Sequence, residues 1–354
     1  METITSVHFF VLVLLAILLL VVLLIIGVLL YGFFQYRETV RLSGWLQIIN
    51  EKISEVIVYD EPDQPDNPAF QQFSANPSFR NLLLQRLVDS EKKFSGMAKD
   101  KIKDLFNKYG LHREAEKKLG QKKAFLIAGG IQELTVMDSA DALPRISGFL
   151  SHASSEVYQE AQYAMVSLKG FEGLSFLDTA EGRISEWQQL RLLLSITSIP
   201  EDSGSSIEKW LTSTNDSVII FTLKLIRKFQ LLSFYQEVMG LLEHASSEVR
   251  IQVVQTLLSL DNPSTVGDLM EIYPHQPLEV RIEILRAMKV SKDRSITDLL
   301  KKELLENPFP AIKIHAAEAL FSLGYHDYLI RLEQDEDAPE ELVQIIKHAL
   351  QERI

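Results

Sequence analysis

Cysteine is absent from all 354 residues. That excludes disulfides, thiolate metal centres and cysteine nucleophiles, and leaves the redox compartment open. Positive charge is scarce as well: 36 Lys and Arg stand against 48 Asp and Glu, a formal net charge of −12. A surface that grips nucleic acid needs the opposite balance, because its affinity comes from neutralising phosphates. No nucleic-acid partner is expected. No Lys or Arg precedes Arg37, so the N-terminus lacks the basic region that opens a secretory signal peptide. The histidines fall into no His-Glu-x-x-His or other close ligand pair, and there is no P-loop, Rossmann glycine pattern or Gly-x-Ser-x-Gly elbow. No metal, no cofactor and no catalytic residue is expected, and the chain reads as a non-enzyme.

The first feature present is a run without charge from Phe9 to Leu30. At 1.5 Å per residue, about 22 residues span the roughly 30 Å hydrocarbon core of a bilayer. Leu29, Tyr31, Phe33 and Phe34 stand where a cleavage site would carry small residues, so an uncleaved transmembrane helix is expected over residues 8–34, with 1–7 as a short extracytoplasmic tail. Arg37 and Arg41 follow the run, and the positive-inside rule places the remainder of the chain in the cytoplasm. The bilayer is thus the expected partner of residues 8–34.

Residues 35–59 read as a juxtamembrane amphipathic helix. Leu42, Leu46, Ile49, Ile53 and Val56 step by four and three, a stripe that could join two copies through 42–56, pack on the following domain, or lie at the lipid interface with Trp45 as an anchor. The run Asp60-Glu-Pro-Asp-Gln-Pro-Asp-Asn-Pro68, with Pro77 beyond, reads as an extended linker over 60–78 that holds the domain off the bilayer. Between Asp89 and Lys123 there are eleven Lys and Arg against six Asp and Glu. This is a basic stretch suited to anionic headgroups, or simply a solvated helix surface.

Residues 79–354 form the helical repeat domain, clearest over 142–354. His152-Ala-Ser-Ser-Glu-Val157 recurs as His244-Ala-Ser-Ser-Glu-Val249, three units of about 31 residues later. Val157, Val218, Val249, Val280, Ile312 and Leu342 mark the start of successive second helices. One unit is skipped near Trp187–Leu190, inside a long helix expected from about Arg183. Shorter first helices are expected at 143–150, 235–242 and 296–305. Ser154, Asn215 and Ser246 stand where a side-chain oxygen caps a helix start, and Gly170 and Gly324 stand where helices end. His152 and His244 close first helices, where an imidazolium would be favoured. The fold class expected is all-α: one transmembrane helix followed by an α-α superhelix.

Ser246-Ser-Glu-Val249-Arg250, Leu278-Glu-Val280-Arg281 and Ala311-Ile312-Lys313 with Ala316 and Ala317 resemble the HEAT repeat in its short bacterial form, over roughly residues 97–354. Tyr158 and Ile219 depart from it, where the basic residue belongs. The resemblance implies a curved solenoid whose second helices line a concave face that holds protein partners. Arg250, Arg281 and Lys313 are the candidate partner-binding residues, although in such repeats the basic residue usually bonds neighbouring units. The whole plan also resembles bacterial membrane-anchored HEAT proteins, which implies the company of membrane glycosyltransferases. A membrane-tethered scaffold or adaptor is the leading reading. A HEAT-like lyase or DNA glycosylase, and a dimerising membrane signalling component, are the alternatives.

Overall fold

Every regular element is helical. The computed structural model describes residues 2–58, 67–260 and 262–351, with side chains from Val11 onward, and among these no strand occurs. They divide into two compact units, Met1–Ala164 and Met165–Ile354, where the sequence reading had a single repeat domain.

The first unit opens on α1, one unbroken helix from Glu2 to Val58. Residues 11–41 are exposed, and the most apolar window has a mean hydropathy of 3.7, making the helix long and apolar enough to cross a membrane. Its last four turns behave differently. Trp45, Ile49 and Ile53 are buried against α2 (Pro68–Phe73), α3 (Pro77–Glu91) and α4 (Met97–Lys108). Of the three readings of the stripe, packing on the following helices is the one its centre adopts, and Trp45 is a core residue. Its ring sits 5.7 Å from those of Phe73 and Phe79, and Phe70 extends the cluster to Tyr109 at 5.1 Å.

The expected linker differs as well. Tyr59–Asp66 lies outside the described residues, but residues 67–78 are not extended. Asn67 caps α2 by accepting from Ala69 N at 3.0 Å, and Pro68 and Pro77 occupy first-turn positions, where a missing N–H costs nothing. The unit continues with α5 (His112–Leu119), α6 (Ala124–Val136), α7 (Leu143–Ser147) and the start of α8 (Ser155–Lys169).

The second unit follows the 31-residue period. After α8 come a 3-10 stretch, Gly170–Thr179, and α9 (Glu186–Ser195). Five short–long pairs follow: α10 (Gly204–Leu211) with α11 (Asp216–Phe229), α12 (Tyr235–Gly240) with α13 (Ser247–Ser259), α14 (Thr265–Ile272) with α15 (Leu278–Ser291), α16 (Thr297–Glu306) with α17 (Pro310–Ser322), and α18 (His326–Glu333) with α19 (Glu340–Gln351). Each short helix packs on its long partner, and α11, α13, α15, α17 and α19 pack one on the next. The aligned residues Val218, Val249, Val280, Ile312 and Leu342 are all buried. No pair covers its own apolar face, so cohesion comes from neighbours.

The skipped repeat is where the regular pattern gives way. The long helix expected from Arg183 is only the ten residues of α9, capped by Ser185, whose Oγ accepts from Gln188 N at 3.2 Å. In the preceding 3-10 segment Gly173 lies against the end of α8: a Cβ there would stand 2.2 Å from Met165 O.

Two kinds of cap replace those expected. Asn215 does cap α11 with its side chain, but Ser246 makes no side-chain cap. Instead, His244 Nδ1 accepts from Ser246 N at 3.1 Å, and His152 Nδ1 accepts from Ser154 N at the same distance. The repeated histidine thus serves as a turn-former, its Nδ1 taking the backbone N–H at the start of the long helix. At helix ends, Gly170 and Gly324 take positive φ as expected, but so do Gln230 and Lys292 after α11 and α15.

Candidate functional site

The three basic residues singled out by the repeat pattern are ties between helix pairs. Arg250, on α13, donates through Nε to His244 O in the turn within its own pair and through a terminal nitrogen to Gln276 Oε1 of the next, at 3.2 Å. Gln276 returns a bond to Leu242 O at 3.2 Å. Arg281, on α15, pairs with Glu303 of α16 at 3.0 Å and lies over the Tyr273 ring at 4.7 Å. Lys313, on α17, stands 3.8 Å from Glu341 of α19. Each of the three side chains has a different partner.

Tyr273 records how dry this seam is. Burial pushes its phenol up to about 12, with the nearby Glu303 adding to the rise and the Arg281 guanidinium opposing it. A raised phenol pKa favours the folded state fully below pH 10, and that contribution is lost as pH climbs from 10 towards 12. The phenolate absorbance of Tyr273, isolated as the difference between wild type and Tyr273→Phe, is expected to emerge near pH 12. Emergence near pH 10 would show that the ring is wet.

A separate recess lies elsewhere. A cleft of about 950 Å³ lies in the second unit, at the N-terminal turns of α9, α11 and α13. Asn215 organises it. Its Nδ2 donates to Ala180 O and Gly182 O at 2.8 and 3.0 Å, and its Oδ1 accepts from the N and Oγ of Ser217 at 3.1 and 2.7 Å. Ser217 Oγ in turn accepts from Ile184 N at 2.9 Å. The buried Gln189 side chain donates to Ile184 O at 3.0 Å and accepts from Lys224 Nζ at 2.8 Å. The loop from Asp178 to Ser185 is thus fixed to the start of α11 by a connected polar network, which rigidifies the wall.

The wall is acidic. Asp178, Glu181, Glu186, Asp216 and Glu248 line it against Arg183 and Lys224. Burial alone would raise the Asp178 carboxyl, but hydrogen bonds from Lys209 and Trp210 outweigh it and hold the group below its ordinary range. Trp210 Nε1 reaches Asp178 at 2.7 Å. Arg183 and Glu248 meet at 3.2 Å while both remain largely exposed, a contact of little energetic weight.

Around α9, about 100° from the cleft-lining Glu186 and Gln189, an apolar face is open. Trp187, Leu190 and Leu194 are 68, 47 and 72 % exposed, spaced as one helical stripe. Large apolar residues clustered in this way mark contact sites more than isolated ones do. The periodicity placed the irregular unit at Trp187–Leu190 but did not show that its apolar residues face outward. Among the described residues no group of His, Asp and Glu is arranged to hold a metal.

No protein-family model matches this chain, and no curated protein matches it. Among solved structures it is similar to an engineered protein (17 % identity, 85 % of this chain and 87 % of that one, TM-score 0.35). It is also similar to the complex of CpcE and CpcF of phycocyanin lyase from Nostoc sp. (13 %, 82 % and 95 %, TM-score 0.25). A third is human deoxyhypusine hydroxylase in complex with glycerol (15 %, 87 % and 97 %, TM-score 0.27). The lyase and the hydroxylase are HEAT-like helical enzymes. That corrects the expectation of a non-enzyme: proteins to which this chain is similar carry out reactions, and a lack of activity does not follow from a sequence without catalytic motifs. At these scores the likeness assigns this chain neither a substrate nor a reaction.

Proposed function

We propose that this chain is a membrane-tethered, HEAT-like helical-repeat scaffold. Residues 8–34 anchor it, the repeats lie on the cytoplasmic side, and the second unit holds a protein partner on α9. The observation that carries the reading is the exposed Trp187–Leu190–Leu194 stripe beside a rigid acidic cleft. An apolar anchor flanked by complementary charge is the arrangement that dominates binding energy at interfaces. The partner that fits is an amphipathic helix with apolar residues on one face and Lys or Arg along its edge. An uncleaved anchor is supported by α1 itself, because the helix that carries the apolar run also supplies Trp45, Ile49 and Ile53 to a folded core.

Full-length protein purified in mild detergent provides the test. Wild type is compared with Trp187→Ala/Leu194→Glu, both checked by circular dichroism. A membrane or cytosolic protein that co-purifies with wild type and is lost at least tenfold from the folded variant supports the assignment, since a buried aromatic anchor is worth about 2 kcal/mol or more. Identical sets of captured proteins would refute it. A membrane glycosyltransferase among the lost species would bear out the implied company.

A further inference from the structure

Helix α1 serves as a ruler for the first unit. It is continuous from the apolar run into the core, so position along it is distance from the bilayer, 1.5 Å for each residue. Two sets of contacts orient the rest of the unit against that scale. At the near end, Trp45 meets Phe73 at a tilt and Phe79 edge-on, Phe70 carries the cluster to Tyr109, and Arg80 donates to Tyr109 O and Gly110 O at 2.9 and 3.1 Å. At the far end, Lys101 Nζ reaches Ile57 O at 3.4 Å. Ile57 is twelve residues beyond Trp45, about 18 Å farther out, so α4 runs back towards the membrane and the α4–α5 turn is at its membrane end.

The basic stretch 89–123 is thereby divided. Lys92, Lys93 and Lys99 belong to the far end, where Lys99 pairs with Glu91 at 2.7 Å. Lys108 and Arg113, both exposed, belong to the near end, together with Arg37 and Arg41 on α1. The carboxylates on that side are largely committed: Glu38 pairs with Arg41, and Glu114 is buried between Arg80 and Lys117. Asp104, one turn before Lys108, is exposed, as is Glu38.

We infer that the α4–α5 turn is a headgroup contact: Lys108 and Arg113, with Arg37, seat the first unit on anionic phospholipids. This rests on the proposal that α1 crosses the membrane. Trp45 stands about 16 Å beyond Phe34, of which the headgroup layer fills roughly 5–7 Å. The remaining gap of about 10 Å is within reach of a helix turn and an extended Lys or Arg, and within one Debye length. Nearby basic side chains each favour an anionic surface about fivefold.

The cysteine-free chain permits single-site labelling. Full-length Asn107→Cys, Ser95→Cys and Leu20→Cys, each carrying a fluorophore, are placed in nanodiscs containing phosphatidylglycerol and a nitroxide on the lipid headgroup. The expected result is strong quenching at 107 and weak quenching at 95, with 107 falling to the level of 95 in Lys108→Glu/Arg113→Glu. Equal quenching at 107 and 95 in the unaltered background overturns the contact. An acyl-chain nitroxide reports on Leu20→Cys: quenching there with none at 107 overturns the contact alone, while a water-exposed residue 20 overturns the anchor and the contact together.

Discussion

Gly173→Ala should unfold the second unit about 6–12 °C earlier than wild type. The added Cβ would stand 2.2 Å from Met165 O, 2.5 Å from Met165 C and 2.7 Å from Val166 Cα. All three are backbone atoms of α8, so no side chain can swing aside. Overpacking of this kind costs about 3 kcal/mol, and for a unit of this size each kcal/mol lowers the midpoint by about 2–4 °C. Gly240→Ala is the matched control. Nothing lies within 4 Å of its built Cβ, and Ala there should be neutral or stabilising by up to about 1 kcal/mol. Thermal unfolding of the detergent-solubilised full-length protein, followed by circular dichroism, reads both. If the two variants melt together, the close approach at Gly173 is not a constraint on the fold.

Arg281→Ala is expected to cost about 3–4 kcal/mol. Its side chain is 18 % exposed and that of its partner Glu303 is 11 % exposed, so truncation strands a buried carboxylate. Glu303 would retain Asn307 as a donor, which keeps the loss from being larger. The pair itself stabilises far less than this figure implies, because both charges were desolvated to make it, and Arg281 Nε is buried without a hydrogen bond. The double variant Arg281→Met/Glu303→Leu should therefore lie within about 1 kcal/mol of wild type. A double variant as unstable as Arg281→Ala would show that the seam depends on the ion pair and not on packing.

Much of this architecture was legible because it is periodic. The 31-residue recurrence placed Val218, Val249, Val280, Ile312 and Leu342 at buried positions of successive long helices, since only a stack covers their apolar faces. What escaped was non-local. Nothing in Leu42–Val56 distinguishes a seam for a second copy from one for α3 and α4, as both need the same stripe. Asn67 and Asn76 cap helices within a segment whose prolines argued for extension, because a proline one position inside a helix and one that breaks it look alike without the neighbour that buries Phe70. The cleft was invisible for a similar reason. Its polar residues, Asn215, Ser217 and Gln189, are ordinary cap and surface types, and only their mutual bonds make them a wall. Arg250, Arg281 and Lys313 were found as a set by pattern, and the structure spends each on a different neighbour.

The unbroken course of α1 has a mechanical consequence. A helix with no hinge between its apolar run and the core it enters is a lever, so any tilt taken up by the span is passed undiminished to the first unit. Bilayers thinner than the apolar run favour a larger tilt. On the anchored reading, the thickness of the surrounding lipid sets the angle at which the first unit meets the membrane plane, without any ligand or modification.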